Sequence, residues 1–124
     1  ALVEVLLVAV GGAAGALARY GVAKGVQSWT SGSFPLGIFV VNLSGAFLLG
    51  LVFTYLLERS SVSSEVRTMV TVGVLGAYTT FSTFSLDTLH LIQNDNWSLA
   101  VLNVAASVAG ALLAVWAGQQ LARV

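Results

Sequence analysis

The sequence contains no cysteine, one proline and one histidine, and charge is scarce: five Lys or Arg and five Asp or Glu, 8% of its 124 residues. Each shortage excludes something. Without cysteine there is no disulfide framework and no thiolate chemistry, and the lone His90 rules out a His-rich metal site. A formal net charge of zero removes the electrostatic basis for binding nucleic acid. Ordinary soluble domains carry about 25% charged residues. This chain, 57% hydrophobic with a mean hydropathy of +0.93, is suited to lipid instead.

Charged side chains leave four free runs, at residues 5–18, 25–57, 68–86 and 96–122. A helix needs about 20 apolar residues to cross a bilayer core of about 30 Å. The last three runs satisfy this directly, and the first does so if Arg19 lies inside its span. The expectation is an all-α membrane protein, one transmembrane domain over residues 1–124, with helices at about 2–27, 35–57, 65–92 and 97–122. Pro35 suits the first turn of the second helix, Ser63 or Ser64 can cap the third, and Trp97 opens the fourth at interfacial depth. The first apolar segment has no basic leader and no obvious cleavage site, so it is expected to remain in the mature protein. The intervening loops leave no room for a soluble domain.

Four spans place Arg59, Arg67 and Arg123 on one side and Lys24, with Arg19 at most, on the other. The positive-inside rule needs a clear excess of Lys and Arg, and this balance assigns no single orientation. Insertion in both directions is expected. A protomer of that kind can pair with its own inverted copy and so obtain by dimerisation the inverted repeat that transporters often encode in one chain.

Small residues recur at spacing four: Gly11 and Gly15 with Gly12 and Ala16 in the first segment, and Ala106, Gly110, Ala114 and Gly118 in the fourth. Such stripes let helix backbones approach closely in lipid, and they are read here as an oligomer seam. Among the polar residues, Asn42 must face protein or water, because an unpaired carboxamide in hydrocarbon costs several kcal/mol. A helix-to-helix hydrogen bond and a pore role both satisfy that demand. Asn103 and Ser107 share a helix face and could line the same path. Arg19 either snorkels to the interface or stands as a fixed positive charge in a vestibule. Asp87 and His90 are read as interfacial.

The stretch GAYTTFSTFSLDT, residues 76–88, sets phenyl rings and hydroxyls on one face, with Phe81 and Ser85 four apart, Thr88 three further on and Phe84 beside them. Gly73, Gly76, Thr79 and Thr80, which precede Phe81, are poor helix formers. A helix interrupted there would expose carbonyls able to coordinate a cation, which is tolerated only in protein or along a cavity. Hydroxyl and carboxamide donors, phenyl edges and the absence of a carboxylate in the membrane core favour a small anion.

In order and spacing, GGAAGALARY at 11–20, VNLSGAFLLG at 41–50 and GVLGAYTTFSTF at 73–84 resemble the three signatures of the Fluc (CrcB) family of bacterial fluoride channels. The resemblance implies a dual-topology homodimer of two antiparallel protomers in the bacterial inner membrane, with two fluoride pores and a structural sodium ion at the dimer centre. It implies that backbone carbonyls of Gly76 and Thr79 hold the sodium and that Phe81 and Phe84 meet fluoride edge-on. Asn42 matches the pore asparagine and Arg19 the arginine of the first motif. Ser82 and Thr83, which stand between the two phenyl residues in the third motif, are expected to line the fluoride pore with them, and Ser107 falls on the polar track of the fourth helix. Beyond Ser107 that track departs from the family pattern, because Ala111 and Val115 follow. The implied partners are fluoride, membrane lipid and a second copy of the chain.

Three other classes compete. A four-helix dual-topology multidrug transporter needs a carboxylate deep in its first helix for proton exchange, whereas Glu4 stands at the start of this one. A non-transporting assembly subunit would explain the small-residue stripes but not the phenyl and hydroxyl face. An intramembrane enzyme would need a nucleophile with a base, which His90 hardly supplies.

Overall fold

The computed structural model describes residues 1–58 and 61–124, and every regular element among these is a helix. Among the described residues, four stretches are long and apolar enough to cross a membrane: Leu2–Gln27, Leu36–Glu58, Ser64–Gln93 and Trp97–Ala122. The first two are α1 and α2. The third divides into α3 (Ser64–Thr68), a π-helical segment (Met69–Leu75), α4 (Gly76–Tyr78) and α5 (Phe81–Gln93), and the fourth is α6. Arg59, weighed above for orientation, lies outside the described residues.

The helices are apolar nearly all round because most of their surface has no partner within the chain. Leu17, Leu112, Leu113 and Trp116 are largely exposed on the surface of the chain, as residues facing lipid must be. Beside a few larger side chains such as Leu75, Tyr78 and Leu91, much of what is buried is small. The α2 and α6 backbones lie against each other: a methyl group added at Gly50 would overlap the Val115 carbonyl, and one at Gly118 would overlap the Phe47 carbonyl. Gly11 and Gly15 likewise face the backbones of Met69 and Val74. For these glycines the structure corrects the reading of the stripes as an oligomer seam, while Gly12 has open space around it. Close approach is their use, but Gly11, Gly15, Gly110 and Gly118 are spent on neighbours within the chain, Gly110 against Leu43.

Local chemistry fixes the helix ends. Ser63 caps α3, its hydroxyl accepting from the Val66 N–H at 3.3 Å. Pro35 stands one residue before α2 and its carbonyl accepts from Phe39 at 3.1 Å. Gln27 closes the α1–α2 connection, Nε2 donating to the Phe34 carbonyl at 3.1 Å and Oε1 accepting from the Gly37 N–H at 2.9 Å. Glu58 and Arg123 tie the ends of α2 and α6 in an exposed ion pair of 3.0 Å, a contact worth about 0–1 kcal/mol.

Candidate functional site

Between α4 and α5 the chain leaves helical geometry for two residues, Thr79 (φ −85°, ψ 159°) and Thr80 (φ −151°, ψ 120°). Extended residues inside a span leave peptide groups without ladder partners, and lipid supplies none. Asn42 on α2 supplies both for Thr80. Its Oδ1 accepts from the Thr80 N–H at 2.8 Å and its Nδ2 donates to the Thr80 carbonyl at 3.0 Å. Thr80 in turn caps α5: Oγ1 accepts from the Thr83 N–H at 3.1 Å, with the Thr83 hydroxyl at 3.1 Å and the Ser82 hydroxyl at 3.3 Å.

Two carbonyls are released by these contacts. In a continuous helix the Thr80 N–H would bond the Gly76 carbonyl and the Thr83 N–H the Thr79 carbonyl. Here the first donor goes to Asn42 and the second to the Thr80 hydroxyl. Gly76 is exposed on the surface of the chain and Thr79 is half-buried.

The same arrangement gathers Asn42, Phe81, Phe84 and Ser107 around one open groove of about 320 Å³. Its remaining wall is Ala46 and Leu49 of α2, Thr79 and Thr80, and Val108, Ala111 and Val115 of α6. The two phenyl centroids are 5.5 Å apart with ring planes tilted by 44°. Phe81 is 78% exposed, so the groove is open on its side. Ser82 and Thr83 do not line it. They lie with Thr80 in the hydroxyl cluster that starts α5, a placement motif position alone does not reveal.

Ser107 is held by a chain of polar groups whose proton directions follow from one end. The Phe84 carbonyl can only accept, so the Thr88 hydroxyl donates to it, at 2.8 Å. Thr88 must then accept from Asn103 Nδ2, at 2.9 Å, which turns Asn103 Oδ1 toward Ser107. Ser107 donates to that oxygen at 3.2 Å. Asn103 is 2% exposed and does not reach the groove, so it orients Ser107 instead of lining the path as its face suggested. A second bond escaped sequence reading. Ser44 donates to the Val41 carbonyl at 3.1 Å, which leaves its oxygen to accept from the Tyr78 hydroxyl at 2.9 Å, securing α4 to α2.

Arg19 is half-buried on α1, makes no hydrogen bond or ion pair with a described residue, and lines neither the groove nor the larger cavity beyond it. That cavity, about 550 Å³, lies where α1 ends and α2 begins. Lys24, Gln27, Asp87, His90, Asn94 and Asn96 line it, a mixed-charge mouth at one end of the bundle. No group of three or more His, Cys, Asp or Glu side chains able to hold a metal occurs among the described residues.

Residues 6–119 match the family described as CrcB-like protein, Camphor Resistance (CrcB). The chain belongs to the CrcB family. It is 46% identical over 120 residues to a protein of Magnetococcus marinus, covering 97% of this chain and 98% of that one. With a protein of Moorella thermoacetica it shares 47% identity over 118 residues, 95% of this chain and 84% of the relative. A third relative, from Methylococcus capsulatus, is 49% identical over 116 residues, 94% of this chain, but the chain spans only 51% of that protein's length. The Magnetococcus and Methylococcus proteins are named fluoride-specific ion channel FluC, and the Moorella protein fluoride-specific ion channel FluC 1. The CrcB match includes Asn42, Gly76, Thr79, Phe81, Phe84 and Ser107.

Proposed function

We propose that this multi-pass membrane protein is a fluoride-selective channel subunit of the bacterial inner membrane, acting as an antiparallel homodimer with two passive pores. The observation that carries this reading is the groove that sets Phe81 and Phe84 beside Asn42 and Ser107, in a chain whose relatives are named fluoride-specific ion channels.

The chemistry runs from the donors outward. Asn42 uses one Nδ2 hydrogen on Thr80 and keeps a second, and this can point at an anion in the groove. Phenyl edges carry the positive end of the ring quadrupole and replace part of the water that a dehydrating anion gives up. Among the described residues, no carboxylate lines the groove to repel an anion. The hydroxyl proton of Ser107 lies on Asn103, so the side chain must turn to donate to an ion. Arg19, Ser82 and Thr83 would act from outside the groove, Arg19 through its charge and the two hydroxyls by holding the α5 cap.

The open side at Phe81 and the exposed Gly76 fit a second, inverted copy, which would close the groove from the other side. A sodium ion fits the donor set beside it, since Gly76 and Thr79 present carbonyls whose helical donors are engaged elsewhere and hard cations prefer such oxygens. These two residues from each copy would hold the ion, and its charge would bind the protomers together.

A passive pore is sufficient for the task. Hydrogen fluoride crosses membranes and dissociates in a more alkaline cytoplasm, and the inside-negative potential then drives fluoride out through a selective path. The multidrug alternative is disfavoured because Glu4 sits in the first turn of α1, far from the groove. Fluoride release from liposomes holding the purified protein tests the reading. A fluoride electrode should register efflux that chloride does not share, and equal release of both ions would overturn it.

A further inference from the structure

Past Ser107 the α6 wall of the groove is Val108, Ala111 and Val115, and none of these can donate to an ion. Leu49 and Val115 also border a second cavity of about 420 Å³, so the two adjoin across these side chains along the seam between α2 and α6. Thr54 of α2, Thr71 of the π-helical segment and Gln119 of α6 stand around the second cavity.

Thr54 is the unusual member. It is 3% exposed, and a threonine so placed ordinarily returns its proton to the carbonyl one turn back. Its hydroxyl bonds to no described residue, and neither does the side chain of Gln119. Nor is the Thr54 oxygen sealed away, because the only fully enclosed side-chain polar atom without a partner among the described residues is Nε of Arg67. The little surface that Thr54 retains therefore includes its hydroxyl, and the residue lines this cavity. Thr71 is different: its hydroxyl proton is committed to the Arg67 carbonyl at 2.8 Å, so it offers only lone pairs. Arg67, one turn before Thr71, lies near this end of the bundle and has no ion-pair partner among the described residues.

We infer that Thr54 and Gln119 form a second donor station of the pathway, where an anion leaving the phenyl groove regains hydrogen bonds before reaching bulk water. Ser107 and Gln119 are twelve residues apart on one helix, about 18 Å at helical rise. An anion crossing that interval against valine and alanine alone would lose hydration without replacement. The hydroxyl of α2 and the carboxamide of α6 supply the missing donors, and the unpaired Arg67 nearby favours negative charge. The station rests on the channel reading for its ion, while its water-filled character can be tested apart from transport.

The absence of native cysteine allows a direct test. Thr54→Cys and Gln119→Cys are reacted in liposomes with a small water-soluble methanethiosulfonate, beside Leu112→Cys on the lipid-facing side of α6. The first two are expected to label at least tenfold faster than the third, and their labelling to stop fluoride efflux. Thr54→Val with Gln119→Leu should lower efflux about tenfold with the dimer intact, and Thr54→Ser should restore most of it. Labelling of Thr54→Cys no faster than Leu112→Cys overturns the proposal, as does normal efflux in the double variant. Fast labelling in a protein that releases no fluoride would instead remove the channel reading and leave an aqueous polar station standing.

Discussion

Asn42 and Thr80, 38 positions apart in the chain, meet as carboxamide and peptide and exchange two hydrogen bonds of 2.8 and 3.0 Å. A side chain of α2 thus completes the backbone of another span at the point where that backbone leaves the helix. Its removal tests more than ion binding.

Asn42→Ala leaves the Thr80 N–H and carbonyl unpaired in the bundle, at about 1–3 kcal/mol for each group. Thermal unfolding in detergent should shift downward and fluoride flux should vanish. Asn42→Asp keeps the acceptor for the Thr80 N–H, loses the donor for its carbonyl and adds a negative charge to the groove. It should unfold at a temperature closer to the parent than Asn42→Ala does, yet pass no fluoride. An aspartate variant with parental flux would remove the donor role of Asn42.

Phe81 makes an unusually clean probe because most of its ring is uncovered within the chain, so little intrachain packing depends on it. Phe81→Ile should leave the folded protomer intact and reduce efflux at least tenfold, since an aliphatic chain has no positive edge to offer. Phe47→Ile, outside the groove, should keep most of its flux. Liposome efflux with size-exclusion controls decides between ring edges and simple bulk.

The Thr88–Asn103–Ser107 chain predicts coupling. Replacing Asn103 by Leu frees the Ser107 proton and strips Thr88 of its donor, so the effects of Asn103→Leu and Ser107→Ala on stability should not add. A double-mutant cycle is expected to return an interaction of about 0.5–3 kcal/mol. Strict additivity would mean that the bonds seen along α5 and α6 carry no energy.

Dual topology can be read from single cysteines at exposed loop positions on opposite ends, Ser31→Cys and Ser61→Cys. In intact cells each should be labelled to about half by an impermeant reagent, as expected when the Lys and Arg bias is weak. Complete labelling of one and none of the other would show a single orientation.

The sodium site proposed at the carbonyls of Gly76 and Thr79 predicts that the proposed dimer depends on that ion. Replacing sodium by N-methylglucamine should lower the melting temperature of the dimer and promote its dissociation on size exclusion, while leaving the helix content measured by circular dichroism unchanged. Identical melting in both cations would assign those carbonyls another use.

Much of this protein can be read from composition, because a chain with ten charged side chains cannot hide where they fall. Four apolar helices follow from the thickness of a bilayer and the cost of burying charge. The residues that gather at the groove also announce themselves, since Asn42, Phe81, Phe84 and Ser107 are conspicuous in or beside apolar runs. What each of them touches is another matter. Spacing identifies a face but not the helix it meets, and so Gly11, Gly15, Gly110 and Gly118 look like part of an external seam although they press on neighbours in the same chain. Hydrogen-bond partners depend on the rotation and axial register of whole helices, quantities that no local periodicity encodes. Only the packed bundle could give Asn42 to Thr80, Asn103 to Ser107 and Ser44 to Tyr78. The π-helical segment has the same origin. The sequence MVTVGVL carries no signal for wide turns, and the packing of Gly73 onto the backbones of Val8 and Gly11 arises only when α1 lies against it.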